Sequence, residues 1–167
     1  MTVEEREKLA QNPSTPVKTL AELSRDEHWE VRKSVAQNTN TPVKTLAKLG
    51  RDKHYEVRLI VAWNLSTPQE ILVKLSRDED SYVRRNVARN PNTPVETLAE
   101  LSRDQDERVH YLVASNPNTP IETLAELSRD RDEWIRETVA KNPKWKRLEE
   151  AGILDRAIAA SKYLGIF

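Results

Sequence analysis

The chain has 167 residues, with 27 lysines and arginines set against 27 aspartates and glutamates, and no cysteine. Charged residues make up 32% of it at zero formal net charge, so it encodes neither a global basic field for nucleic acid nor an acidic mimic of one. The lack of cysteine excludes disulfides, thiolate metal sites and iron–sulfur ligation, and no apolar run, leader or lipidation motif points to a membrane, which makes a cytoplasmic location the default expectation.

The first element is a helix over residues 2–11. Thr2 and Glu5 have the spacing of a capping box, and Glu4, Glu5, Arg6, Glu7 and Lys8 make the helix polar. It reads as the second helix of a missing repeat, an N-terminal cap over residues 1–12. From there a period of 26 takes over. Val-Ala-x-Asn recurs from Val35, Val61, Val87, Val113 and Val139, with Leu9-Ala10 in the same place at the front. Asn recurs at Asn12, Asn38, Asn64, Asn90, Asn116 and Asn142. Thr-Pro recurs from Thr15, Thr41, Thr67, Thr93 and Thr119, and Arg-Asp from Arg25, Arg51, Arg77, Arg103 and Arg129. The stretch NPNTPVETLAELSRD at 90–104 returns at 116–130 with one change, Ile121 in the place of Val95. A fixed period of this length marks a repeat array.

Each repeat predicts two short helices. In the fourth, Thr93 has the place of an N-cap, Pro94 of the first helical residue, and Glu96 (like Glu122 in the fifth) of the reciprocal capping-box residue. Lys18 and Lys44 lack that feature. Val95, Leu98, Ala99 and Leu101 follow helical spacing, and Arg103 falls in the last turn. The second helix starts near Asp104 or Asp106, carries Val109, Leu112 and Val113 on one face, and stops at Asn116-Pro117. His28 and His54 stand where later repeats have Asp80, Asp106 and Asp132, and read as weak caps. No alternating run or hairpin turn signals a strand. One repeat has too few apolar side chains to offset its ordering entropy, so the repeats must stack.

After Pro143 the pattern breaks. Lys144 to Ala151 replaces the Thr-Pro helix, Gly152 stops it, and Ile153 to Leu164 reads as an amphipathic helix with Leu154, Ile158 and Tyr163 inward. Gly165 ends that helix, and Ile166-Phe167 tuck against the last repeat. The expected organisation is one domain over 1–167: an N-terminal cap helix at 1–12, five helical repeats at 13–142 and capping helices at 143–167, with no linker or tail.

The unit V-R-x-x-V-A-x-N-P-x-T-P-x-E-x-L-x-x-L-x-x-D is carried by Val83-Arg84, Val87-Ala88, Asn90-Pro91, Thr93-Pro94, Glu96, Leu98, Leu101 and Asp104. Over about residues 3–143 it resembles the leucine-rich repeat variant family, and its Asp-to-Val-Arg spacing also looks like HEAT repeats. The resemblance implies an all-α, right-handed α-solenoid of five two-helix repeats with a period of 26. It further implies that 3₁₀ or short α helices alternate with α helices, that there is no sheet, and that the role is binding rather than catalysis. The cysteine-rich iron–sulfur segment of some members does not carry over to a cysteine-free chain.

Residues repeated in every unit serve the stack. The Asn series is expected to bond turn backbone in a ladder. The Arg-Asp series is expected to cap and pair, with Arg32, Arg58, Arg84 and Arg136 as further partners and His110 as a break in that series. The positions that vary are the informative ones. Lys33, Leu59, Arg85, Tyr111 and Glu137 occupy one place on the second helix, and Gln37, Trp63, Arg89, Ser115 and Lys141 the place four residues on, the same helix face. Lys33, Gln37, Leu59, Trp63, Arg85, Arg89, Tyr111 and Ser115 are the candidate partner-binding residues, rich in hot-spot types. The plainer alternative is that Leu59 and Trp63 cover the next repeat and the arginines are solvated. A second row (Trp29, Tyr55, Ser81, Glu107 and Glu133, beside Glu30, Glu56, Tyr82, Arg108 and Trp134) reads as a shield over the seams between repeats.

The function expected is a non-catalytic scaffold for a protein or peptide, monomeric by default. A nucleic-acid module using Arg58, Arg84, Arg85, Arg89 and Arg108, with Trp63 and Tyr111 to stack bases, is an alternative. An engineered array without a native ligand is another, against which the irregular third unit, WNLSTPQEILVKLSRD, speaks. Three isolated histidines, three glycines and no nucleophile–base set leave no catalytic residue, metal site or cofactor to name.

Overall fold

The computed structural model describes residues 1–163; the expectations for Leu164, Gly165, Ile166 and Phe167 lie outside them. The described residues form thirteen α-helices and no strand. The chain divides into two compact units, Met1–Asn92 and Thr93–Phe167.

In the first unit, nine-residue helices α1 (Val3–Gln11), α3 (Trp29–Gln37), α5 (Tyr55–Trp63) and α7 (Ser81–Arg89) stack in succession. Seven-residue helices α2 (Val17–Leu23), α4 (Val43–Leu49) and α6 (Gln69–Leu75) each pack on the longer helix before and after them. The core is a repeated set: Val31, Val35, Val57, Val61, Val83 and Val87 from the long helices, with Leu20, Leu46 and Leu72 from the short ones, all wholly buried. The third repeat carries Ile71 where the others have Thr. A Cβ on Gly50 would sit 3.3 Å from the Ile71 Cγ2, so glycine makes room at a place where other repeats carry Ser.

The second unit continues with α8 (Val95–Leu101), α9 (Glu107–Ser115), α10 (Ile121–Leu127) and α11 (Glu133–Lys141), closed by α12 (Pro143–Glu150) and α13 (Leu154–Tyr163). α9 packs on α8, α10 and α11, and α13 on α10 and α12. Gly152, at φ 67°, takes the left-handed turn that ends α12. Leu154 and Ile158 are half-buried, whereas Tyr163 is exposed rather than inward.

The short helices begin differently from the expectation. They start after Pro16, Pro42, Pro68, Pro94 and Pro120, none with a side-chain cap, so Glu96 and Glu122 close no capping box. The threonine looks backwards instead. The hydroxyls of Thr41, Thr67 and Thr119 each donate at 2.6 Å to the carbonyl six residues earlier, on Val35, Val61 and Val113. Those carbonyls lie in the last turn of the preceding long helix, where main-chain acceptors run out. Expected 3₁₀ character is confined to helix ends among the described residues: Arg25 and Asp26 donate to the carbonyls three residues back, as do Arg51, Asp52, Asn38 and Val57.

The long helices begin as expected where Asp is present. Asp80, Asp106 and Asp132 accept from the main chain two residues on, while His28 and His54 occupy the same place with no cap bond. The capping box of Thr2 and Glu5 is formed.

Candidate partner-binding grooves

Two ladders position the surface. In the first, the amides of Asn38, Asn64, Asn90 and Asn142 reach back one repeat. Asn38 Nδ2 donates to the carbonyls of Ala10 (2.7 Å) and Asn12 (2.9 Å), Asn64 Nδ2 to Ala36 (2.7 Å), and Asn142 Nδ2 to Ala114 (2.8 Å) and Asn116 (3.1 Å). Each Oδ1 accepts from the main chain two residues on. Asn38 and Asn64 precede Thr and Leu, yet their backbone matches that of Asn90, which precedes Pro. The Asn bonds, not the proline, end the long helix.

The second ladder is ionic. Arg6, Arg32 and Arg58 each place Nε against the Asp twenty residues on: Asp26 at 2.6 Å, Asp52 at 2.6 Å and Asp78 at 2.7 Å. The Nη1 of Arg32 and of Arg58 also donates to carbonyls of the preceding turn. The Arg6 hydrogen bonds hold the Asp26 carboxyl below its ordinary range. At Asp52 burial pushes upward, but Arg32 and the His54 main-chain N–H outweigh it. The pairing arginines therefore come from the long helices, whereas Arg103 of the Arg-Asp series makes only an exposed 3.5 Å contact with Glu126. Arg58 and Arg84, both buried, spend guanidinium groups on internal acceptors, which removes them from the cluster a nucleic acid would need.

The variable stripe lies beside this scaffold. In the first unit Gln37, Trp63 and Arg89 are exposed on α3, α5 and α7, and Leu59 and Arg85 are half-buried. Arg85 stacks over the Tyr82 ring at 4.6 Å. Lys33 is drawn inward, to Glu56 at 2.5 Å and over the Trp29 ring at 5.2 Å. Trp29 in turn stacks on His54 at 4.0 Å, so this end of the second row does shield a seam. A recess of about 370 Å³ opens between α1 and α3, with Gln11 and Gln37 on its walls.

In the second unit the stripe lines a groove of about 320 Å³ between α9 and α11. Tyr111 and Ser115 form one wall, Glu137, Thr138 and Lys141 the other, and Trp134 stands at the rim, 74% exposed. Lys141 pairs with Glu137 at 3.1 Å, and the Ser115 hydroxyl donates to the Tyr111 carbonyl. Trp134, read from the sequence as a seam shield, stands largely exposed at the groove between α9 and α11, and Tyr82 is 53% exposed beside Arg85. The spacing of Trp134 to Glu137 and Thr138, three and four residues, is the signal that places it on the groove face. Among the described residues no three acidic or histidine side chains converge to hold a metal, and no helix is long and apolar enough to cross a membrane.

Comparison with known proteins agrees with this architecture. Residues 83–106 match the family model described as leucine rich repeat variant. A solved leucine-rich repeat variant, described as having a novel repetitive protein structural motif, is 30% identical with a TM-score of 0.66. That match covers 92% of this chain, which spans 64% of the other protein. An engineered protein of known structure, 21% identical over 88% of this chain and 90% of its own, shares the fold at a TM-score of 0.55. No curated protein matches. Residues 83–106 are a leucine rich repeat variant unit, and the chain is an all-α helical-repeat protein similar to a solved protein of that kind.

Proposed function

We propose that the chain is a non-catalytic scaffold that binds a protein or peptide along the grooves between its nine-residue helices. The observation that carries this reading is the groove between α9 and α11, whose walls are the variable residues Tyr111, Ser115, Glu137 and Lys141. Tyr and Trp supply large contact area at little rotamer cost, which suits Tyr111 and the rim residue Trp134 to an apolar side chain of a partner. Ser115 keeps its acceptor capacity after donating to Tyr111, and the Glu137–Lys141 pair offers charge of either sign. In the first unit, Gln37, Trp63 and Arg89 are the corresponding positions, repeated residues beside them being spent on the ladders.

The test is capture from nuclease-treated lysate, followed by direct binding of the purified candidate. Wild type is compared with Tyr111→Ala/Trp134→Ala, checked by circular dichroism for retained helix. A partner retained by wild type and lost by the variant is the expected result. Capture unchanged by the variant, or abolished by nuclease alone, contradicts it.

A further inference from the structure

The side chains of the groove between α9 and α11 differ in what they have left to offer a ligand. The Ser115 hydroxyl donates to the Tyr111 carbonyl at 2.8 Å and the Thr138 hydroxyl to the Trp134 carbonyl at 2.7 Å, so both hydroxyl hydrogens are spent inside their own helices. Glu137 and Lys141 pair with each other at 3.1 Å. The Asn142 amide is committed to the ladder, and Pro143 has no N–H. What remains is two aromatic rings, Tyr111 at 41% and Trp134 at 74% exposure, each carrying one polar hydrogen. Neither the Tyr111 hydroxyl nor the Trp134 indole N–H makes a hydrogen bond among the described residues. That inventory selects among the ways a protein segment can dock. An extended strand needs a sheet edge, and the described residues hold no strand. An amphipathic helix needs a continuous apolar trough for its anchors, whereas Ser115, Glu137, Thr138 and Lys141 make both walls polar. A proline-rich segment in the polyproline II form fits what is left. Its rings lie on aromatic faces, its carbonyls project outward to take the free O–H and N–H, and proline brings no N–H to be buried without a partner. Its conformation is set before binding, which keeps the ordering cost low at a groove of only about 320 Å³.

We propose that the groove between α9 and α11 binds a proline-rich segment of a partner protein in polyproline II form, with prolines packed on Tyr111 and Trp134 and carbonyls accepting from the Tyr111 hydroxyl and the Trp134 indole N–H. This binding mode rests on the groove being the partner site proposed above, and adds the class of partner it takes.

The experiment is fluorescence anisotropy of the whole chain with a labelled proline-rich peptide of about ten residues, against the same peptide with its prolines replaced by alanine. Wild type should bind the proline-rich peptide roughly tenfold more tightly than the alanine one. Trp134→Phe and Tyr111→Phe keep a ring and remove the donor, and each should weaken binding by roughly three- to tenfold, the effect of one lost hydrogen bond. Tyr111→Ala/Trp134→Ala should abolish it, with helix content retained by circular dichroism. Tyr163→Ala, at a 93% exposed aromatic position at the end of α13, should change nothing. No binding by wild type, equal binding of the alanine peptide, unchanged affinity in both phenylalanine variants, or an equal loss in Tyr163→Ala overturns the proposal. The lysate capture separates this failure from failure of the groove. A partner lost by Tyr111→Ala/Trp134→Ala but not displaced by the proline-rich peptide keeps the groove and overturns the proline-rich segment, whereas capture unchanged by that variant overturns both.

Discussion

The two units build the same Asn ladder and differ in almost everything ionic around it. In the first, Arg6, Arg32 and Arg58 pair with Asp26, Asp52 and Asp78. In the second, His110 takes the arginine's place. Its Nε2 donates to the Asp104 carbonyl at 2.6 Å, which leaves Nδ1, 3.5 Å from Asp130, as a lone pair unless the ring is protonated. Among the described residues Arg136 then bonds only the carbonyls of Asp130 and Arg131, and it is exposed. The short helices diverge too. At two corresponding positions of each short helix, the first unit carries Lys18, Lys44, Lys48 and Lys74 together with Glu22 and Glu70, whereas the second has Glu96, Glu100, Glu122 and Glu126 throughout. The Asn ladder ties main-chain carbonyls of one repeat to a buried amide of the next, so it holds the stack itself. The ionic ladder fastens repeats that already stack, so it is free to vary, and a net charge of zero conceals the acidic pair of short helices α8 and α10.

The comparison breaks hardest at arginine. Arg32→Ala strands Asp52, whose side chain is 8% exposed, and should cost about 3–5 kcal/mol, whereas Arg136→Ala should stay within about 0.5 kcal/mol. Thermal melts of the two variants check this, and equal losses would erase the distinction between the units. The same pair sets a pH dependence. Asp52's folded pKa lies below its ordinary value, so its contribution is full above the usual carboxylate range and is lost as pH falls through the lowered pKa. Wild type should therefore lose stability in acid, below about pH 4, more steeply than Arg32→Ala. A smaller effect sharpens the contrast: His110→Arg should restore the missing pair with Asp130. It should raise stability by about 1 kcal/mol, seen as a melting temperature higher by roughly 2–4 °C.

Much of this was legible in the residues. The period placed every helix of the array, and the Asn series announced its ladder because a buried amide recurring at one register has only the neighbouring repeat to bond. The Thr-Pro pair misled, since Thr before Pro at a helix start has the pattern of a cap, and only three dimensions show Val35, Val61 and Val113 offering carbonyls behind it. The sequence makes Arg32 and Arg58 candidate partners for the repeated aspartates, and the structure pairs them with Asp52 and Asp78, twenty residues on. Comparing rows across repeats hid the placing of Trp134 with Glu137 and Thr138 on one face of α11, opposite Tyr111 and Ser115 of α9. Glu122 looked like a capping residue of an exposed turn, and its burial depends on how α10 packs, which no local pattern encodes.

The central claim is that residues kept at the repeat spacing hold the stack while their varying neighbours do not. Adjacent pairs in each unit test it by thermal melts: Gln37→Ala against Asn38→Ala, and Lys141→Ala against Asn142→Ala. Asn38 and Asn142 are buried and hold two carbonyls each, so their loss should cost about 2–3 kcal/mol, a drop of roughly 5–10 °C. Gln37 and Lys141 are exposed and should shift stability by no more than about 0.5 kcal/mol. Melting temperatures that fall equally at both members of a pair, or chiefly at Gln37 and Lys141, would contradict the account.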